Sequence, residues 1–264
     1  RYLTGAVDLL AKLDPKAKKI AIVYEKDKFS TDVVTALQEY ASGRGYTIVL
    51  FEGYDPGTTD FAPFINKIPK DIDAIMGGGH FADTSTFAKQ IYEKGVRPKM
   101  MALLVAPPEP KFAELGQAAL GVIGASQWET QVKYSAEAAK AHNQEWYGPS
   151  VADFVKAYQA KYNGETPSYH SAGGYVAGLL LELAIKKAGS TETEKVKAAL
   201  DALDVMTFYG RLKFDTTPQN HGLQIGHQMV YTQWQRDAQG KLVNEIVWPE
   251  EAQTKPPMLM PKKK

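Results

Sequence analysis

Along the first half of the chain, apolar residues form short continuous runs, and between the runs they recur every three or four positions. Ile20-Ala21-Ile22-Val23-Tyr24 follows the charged stretch Lys16 to Lys19 and predicts a strand buried on both faces. Ser30 then offers an N-cap and Asp32 a first-turn acid. Val33, Val34, Leu37 and Ala41 continue at helical spacing until Gly43 and Gly45 end the helix. Thr47 to Phe51 predicts a second strand, and Phe61, Phe64, Ile65 and Ile68 a second helix with Pro63 in its first turn. Asp73-Ala74-Ile75-Met76 reads as a third strand running into Gly77-Gly78-Gly79. Phe87, Ala88, Ile91 and Tyr92 mark a helix stopped by Gly95, and further strands are expected at Lys99 to Val105 and Gly121 to Gly124. Strands separated by helices at roughly 20–27-residue intervals are the mark of βαβ units with right-handed crossovers and a parallel sheet.

After Trp128 the pattern changes. Residues 129–148 are polar without a clear period and are expected to be a connection. Val151, Phe154, Val155, Tyr158 and Tyr162 predict an amphipathic helix, broken at Gly164 and Pro167. A second helix carries Val176, Leu179, Leu180, Leu183 and Ala184, with Gly189 as its C′ residue. Thr191 and Glu194 form a capping box for a third, which buries Val196, Ala199, Leu200 and Leu203. The last section is strand-like at Arg211 to Asp215, Met229 to Trp234 and Leu242 to Trp248, with a turn at Asp237 to Gly240. Pro256, Pro257 and Pro261 make the tail irregular.

Composition narrows the function classes. The 264 residues carry 31 Lys plus Arg against 30 Asp plus Glu, so no basic field exists for wrapping nucleic acid. There is no cysteine, hence no disulfide, thiolate metal site or cysteine nucleophile. No apolar run approaches the roughly 20 residues that span a bilayer. The chain begins at Arg1, so a processed or excerpted chain is expected, and the Lys262-Lys263-Lys264 tail is expected to be a solvated end.

Candidate chemistry is sparse. Gly77-Gly78-Gly79-His80 ends a strand, where ligands sit in open α/β sheets, but the spacing matches neither a dinucleotide fingerprint nor a Walker loop. The glycines suit either a tight strand-to-helix turn or a ligand-lining loop. An enzyme placing a phosphate there would need basic groups, for which Lys26 and Lys28 are the nearby candidates. None of the histidines (His80, His142, His170, His221, His227) stands in a metal-ligand pair, and Gly124-Ala125-Ser126-Gln127-Trp128 fails as a nucleophile elbow. Phe29, Phe81, Leu104 and Trp128 fall at or just past strand ends, and together predict an apolar rim suited to a small molecule.

These segments, in this order, resemble the type I periplasmic-binding-protein fold, specifically the branched-chain-amino-acid-like substrate-binding proteins of ABC transporters. The matching stretches are Lys19 to Tyr24 with Phe29-Ser30, Asp73 to Gly78, Gly121 to Gly124, Phe154 to Tyr158, Tyr175 to Gly189, Val196 to Leu200 and Tyr209 to Asp215. The resemblance implies an α/β chain of two doubly wound parallel-sheet lobes, the first lobe incomplete at its N-terminal side. Residues 1–128 with 232–264 would form the second lobe, and 129–231 the later part of the first with the hinge crossings. It implies a non-enzymatic solute-binding protein, periplasmic or extracellular, monomeric and associated with the membrane through a permease. The ligand would be a small apolar or aromatic carboxylate, or an amino-acid-like molecule, closed between the lobes without any cofactor. Sensory receptor domains share the fold and are the other reading. By the same resemblance Phe29, Ser30, His80, Phe81, Leu104, Trp128, Tyr169 and His170 are expected to touch the ligand. Leu104 falls where amino-acid binders place an acid for the ligand ammonium, so its apolar side chain argues against an α-amino acid.

Overall fold

The computed structural model describes residues 2–261, and the expected lysine tail lies outside the described residues. The chain divides into two compact units, one running to Ser126 and resuming at Met229, the other spanning Gln127–Gln228. The boundaries are displaced from those expected: Gln127 and Trp128 fall in the smaller unit, and Met229 to Tyr231 in the larger.

The larger unit is built on a seven-stranded sheet. In chain order its strands are β1 (Lys19–Glu25), β2 (Thr47–Tyr54), β3 (Ala74–Gly78), β4 (Met100–Leu103) and β5 (Ile123–Ser126), joined late in the chain by β9 (Val230–Arg236) and β10 (Leu242–Trp248). The order across the sheet is β10-β9-β5-β4-β3-β1-β2, with β1 to β5 parallel and β9 running antiparallel to both its neighbours, β5 and β10. Helices α1 (Thr4–Leu13), α2 (Lys28–Gly43), α3 (Ala62–Ile65) and α4 (Phe81–Glu93) complete it. Alternation along β1 explains the two-sided burial. Ile20 and Ile22 join a core with the α1 and α2 residues Leu9, Leu10, Val34 and Leu37, while Ala21 and Val23 join a core with Ile65, Phe87 and Ile91 of α3 and α4. Asp73 locks the opposite end of the sheet, accepting the Lys18 and Lys19 amides at 2.7 and 2.9 Å and the Lys99 ammonium at 2.8 Å.

The smaller unit holds α5 (Ala136–Ala141), α6 (Val151–Lys161), α7 (Tyr169–Ala188) and α8 (Thr193–Asp201) with a sheet of order β6-β7-β8. Its strands are β6 (Glu145–Trp146), β7 (Asp204–Thr207) and β8 (Gly210–Lys213). Gly189 ends α7 in the left-handed region at φ 60°, as its position after the apolar stripe predicts.

Several expectations need correction. Asp27, not Ser30, caps α2, its carboxylate accepting the Ser30 amide at 2.6 Å. The Thr191 box does not form, and α8 starts one residue after Glu192 without a side-chain cap. Helix α1 and strand β7 were not anticipated, and the polar connection contains α5 and β6. Among the described residues no helix is long and apolar enough to cross a membrane.

The glycine run is a packing device. Gly77 has φ 122°, and a Cβ there would lie 2.2 Å from the Val23 carbonyl oxygen; at Gly78, with φ 97°, it would lie 2.7 Å from Thr84 Oγ1. Gly77→Ala is therefore expected to cost more than about 3 kcal/mol of unfolding free energy in urea titration. Gly43→Ala in α2, where a Cβ meets nothing, is expected to be neutral or to stabilise by up to about 1 kcal/mol. Equal behaviour of the two variants would remove the packing argument.

Candidate functional site

The pairing of β1 with β3 sets the site. Val23 lies opposite Gly77 and Tyr24 opposite Gly78, so the next residues, Glu25 and Gly79, meet at the carboxyl end of the sheet. A Cβ on Gly79 would lie 2.6 Å from Glu25 Cβ and 2.5 Å from Asp83 Oδ2, so glycine there lets the two elements close. The Gly79 amide donates to Thr84 Oγ1 at 2.7 Å and α4 begins, with His80 in its N-cap position.

His80 consequently sits between two carboxylates. Its Nδ1 is 2.6 Å from Glu25 Oε2 and its Nε2 is 3.6 Å from Asp27 Oδ2. The Glu25 side chain is 10% exposed, Asp27 25% and His80 60%, so the acid is sunk into the rim and the imidazole stands over it. The hydrogen bond to Glu25 raises the His80 pKa; burial works against this, and the charges of Glu25, Asp27 and Asp83 add to the rise. Asp83 also accepts the Tyr54 hydroxyl, whose own pKa is pushed far up by burial and by that carboxylate. The half-buried Phe29 ring lies 6.3 Å from the His80 ring and packs edge-on against Tyr2 at 5.3 Å. Phe81 follows His80, half-buried against the core under α4.

Phe29 and His80 are thus brought to one rim, joined by Glu25 and Asp27, which sequence reasoning missed, while Phe81 packs against the α3–α4 core. Glu25 was legible as a carboxylate ending a run of buried residues, a place where a charge needs a purpose or a partner. Glu25, Asp27 and His80 also bring three potential metal donors within 4.8 Å, although both ring nitrogens already face a carboxylate. The basic residues beside the rim are drawn elsewhere: Lys26 pairs with Asp55 at 3.0 Å and Lys28 with Asp32 at 2.8 Å. With the glycine turn filled by its own neighbours and both nearby lysines paired, the described residues give the phosphate-binding alternative no support.

The other expected residues are placed differently. Leu104 is fully buried; alternation along β4 turns it into the α1–α2 core, so it offers a ligand no surface. Ser30 is fully buried on the α2 stripe that also carries Val34, Leu37 and Ala41, and its hydroxyl has no hydrogen-bond partner. Trp128 is fully buried in the smaller unit, packed edge-on against Phe154 and Phe208, with its indole N–H donating to the Phe208 carbonyl at 3.0 Å. Tyr169 is 4% exposed in the same core. His170 stacks on Tyr169 at 4.0 Å and lines a groove of about 510 Å³ between α6 and α7, with Phe154, Tyr158, Tyr162 and Tyr175.

Two outcomes follow. A histidine whose folded pKa is raised stabilises the fold fully below its unfolded value of about 6.5 and loses that contribution as pH rises through the folded value. Glu25→Gln is expected to bring the His80 titration, followed by NMR, back toward about 6.5 and to flatten that part of the stability profile; an unmoved titration would rule out the Glu25 bond as its cause. Ser30→Ala removes an unsatisfied buried hydroxyl and is expected to stabilise by about 1 kcal/mol, or 2–4 °C in melting temperature.

Comparison with known proteins agrees with this architecture. The family model described as periplasmic binding protein matches residues 1–241. The Leu/Ile/Val-binding protein homolog 8 of Brucella abortus is 29% identical over 94% of the chain and 60% of its own length, and homolog 7 of Brucella suis is 28% identical over 90% and 57%. The chain therefore spans about 60% of the length of the curated relatives it matches. Among solved structures, an ABC transporter substrate-binding protein from Sphaerobacter thermophilus superposes with a TM-score of 0.72 at 20% identity, covering 93% of this chain and 63% of that one. A solute-binding protein from Rhodopseudomonas palustris in complex with 3,4-dihydroxy benzoic acid gives 0.69 at 22% (93% and 62%). The isoleucine complex of a substrate-binding protein from Streptococcus pneumoniae gives 0.67 at 22% (94% and 65%). With the family model covering most of its length, the chain belongs to the periplasmic-binding-protein family.

Proposed function

We propose that this chain is the greater part of the solute-binding component of an ABC importer, and that it takes a small apolar or aromatic carboxylate, or an amino-acid-like molecule, by lobe closure. The observation that carries this reading is the rim where β1 and β3 end: the Phe29 ring lies beside His80, with Glu25 beneath it. Ligands of open α/β sheets bind beyond the carboxyl ends of the strands, which is where these groups lie. Ligands held by proteins of the same fold, a dihydroxybenzoic acid and isoleucine, each join an apolar body to a carboxylate and a hydrogen-bond donor, the hydroxyls standing across the ring from the carboxylate in the first and the ammonium on the same carbon in the second. Because Glu25 and Asp27 are acidic, the donor end faces this rim and the carboxylate end is held away from it. Glu25 and Asp27 accept from the donor end, His80 holds the two carboxylates in place, and the Phe29 ring supplies apolar area.

Delivery to a membrane permease, a periplasmic or extracellular location, a monomeric state and the absence of catalysis belong to the same proposal. They rest on the family.

The test is a fluorescence titration of the purified chain with 4-hydroxybenzoate, leucine and isoleucine, alongside a version extended to the length of the relatives. His80→Ala is expected to weaken binding by about tenfold, the worth of a charge-assisted hydrogen bond, with the fold retained by circular dichroism and the melt lowered by the loss of the Glu25 pair. Unaltered affinity in that variant would take His80 out of the site. Absence of binding by any of the three to the extended protein would overturn the ligand class.

A further inference from the structure

We propose that the larger unit carries a second small-molecule site, a cavity at the edge of the sheet opposite the His80 rim, which takes an oxyanion, carboxylate or phosphate, borne on an apolar body. The cavity measures about 710 Å³, and Arg97 and Arg236 line it above an apolar floor of Met101, Leu120 and Met260. Its place follows from topology. Arg97 precedes β4 and Leu120 precedes β5, while Arg236 ends the antiparallel β9 beside them. All three therefore lie at the amino-terminal ends of the parallel strands.

The state of the two arginines marks this cavity as an anion site. The other arginines among the described residues are neutralised: Arg44 pairs with Asp8 at 3.1 Å and Arg211 with Asp204 at 2.6 Å. Among the described residues, Arg97 and Arg236 bond only backbone carbonyls. Arg97 is held in place before any ligand arrives. Its guanidinium lies 4.4 Å over the Tyr92 ring, and Nη1 donates to the Tyr92 and Val96 carbonyls at 3.0 and 2.9 Å. Those bonds leave the other N–H groups of a rigid five-donor fork for a ligand. Arg236 is tied through Nη1 to the Gly240 carbonyl. The carboxylate among the lining residues, Glu93, is 3.9 Å from Lys89. Two guanidiniums without a carboxylate partner among the described residues, in a cavity also lined by Leu120 and Met260, match the make-up of small-molecule sites, and each planar fork suits an oxyanion.

The experiment is calorimetric titration of the purified chain and of its His80→Ala variant with phenyl phosphate, phenylacetate and inorganic phosphate. Running the His80→Ala background separates this cavity from the rim. We expect one saturable site for phenyl phosphate or phenylacetate in both backgrounds, weakened by added salt. Arg97→Gln and Arg236→Gln should each reduce the affinity by about tenfold or more, the worth of a charge-assisted contact, and Arg236→Lys should restore it only in part. Thermal melts of the variants establish that they are folded. The relative strength of the two aromatic probes assigns the oxyanion. Binding that survives both glutamine substitutions, binding lost in His80→Ala, or no saturation by either aromatic probe would each overturn the site. Inorganic phosphate binding as tightly as phenyl phosphate would overturn the apolar-body requirement.

Discussion

The close approach of β1 to β3 is the constraint on which the rim depends. Their register sets Val23 and Tyr24 against Gly77 and Gly78 and leaves no room for a Cβ at Gly77, Gly78 or Gly79. Any side chain at these positions would force β3 away from β1 or turn the start of α4. With glycine, α4 starts at once, its Thr84 hydroxyl accepts the Gly79 amide, and His80 is delivered to within hydrogen-bond reach of Glu25. The glycines thus act through geometry, by deciding where an imidazole and a carboxylate meet. That also explains why a run resembling a phosphate loop is none: its space and its Gly79 donor are already used.

The meeting of these groups gives the rim its sign. Glu25 is nearly buried, and a desolvated carboxylate needs a partner. His80 supplies one through Nδ1 while remaining largely exposed, so the partner is itself open to solvent. The two lysines that could have reversed the sign are engaged with Asp55 and Asp32. On the proposed reading, an acidic rim beside an aromatic ring takes a hydroxyl or an ammonium, and it does so without the acid that the family resemblance expects at the position held here by Leu104. The doubt that Leu104 cast on amino-acid ligands therefore loses force, because the acid comes from the end of β1 instead of the end of β4.

Much of the fold was legible because burial on both faces leaves a plain signature. The runs at Ile20 to Tyr24, Thr47 to Phe51 and Asp73 to Met76 each mark a strand of the parallel sheet, and the spacing between them fixes the intervening helices. Strand β7 escaped because Asp204 to Thr207 is four residues long and directly follows a helix, too short to show a period. The site was legible in part. Position past a strand end brought Phe29, His80 and Phe81 to notice, but it says nothing of which way a side chain turns. Period-2 alternation sends Leu104 inward, the 3.6-residue stripe sends Ser30 inward, and Trp128 lies beyond the point where the chain leaves the sheet. Glu25 was passed over for the converse reason. It ends a buried run, and its importance arises from Gly79 on another strand, a contact that no local pattern encodes.

The two edges of the sheet in the larger unit carry opposite chemistry, and the parallel topology explains how they can. Every β1-to-β5 strand enters at one edge and leaves at the other, so residues before the strands and residues after them are segregated by the fold. Past the ends of β1 and β3 lie Glu25, Asp27, His80 and Asp83. Before β4 and beside β5 lie Arg97 and Arg236, the second delivered by the antiparallel β9 that reaches back to that edge. At an ordinary ionic strength the Debye length is about 10 Å, so the two edges act independently on anything approaching them. One sheet can therefore present an acid-lined rim that selects the donor end of a ligand and a guanidinium-lined cavity that selects an oxyanion.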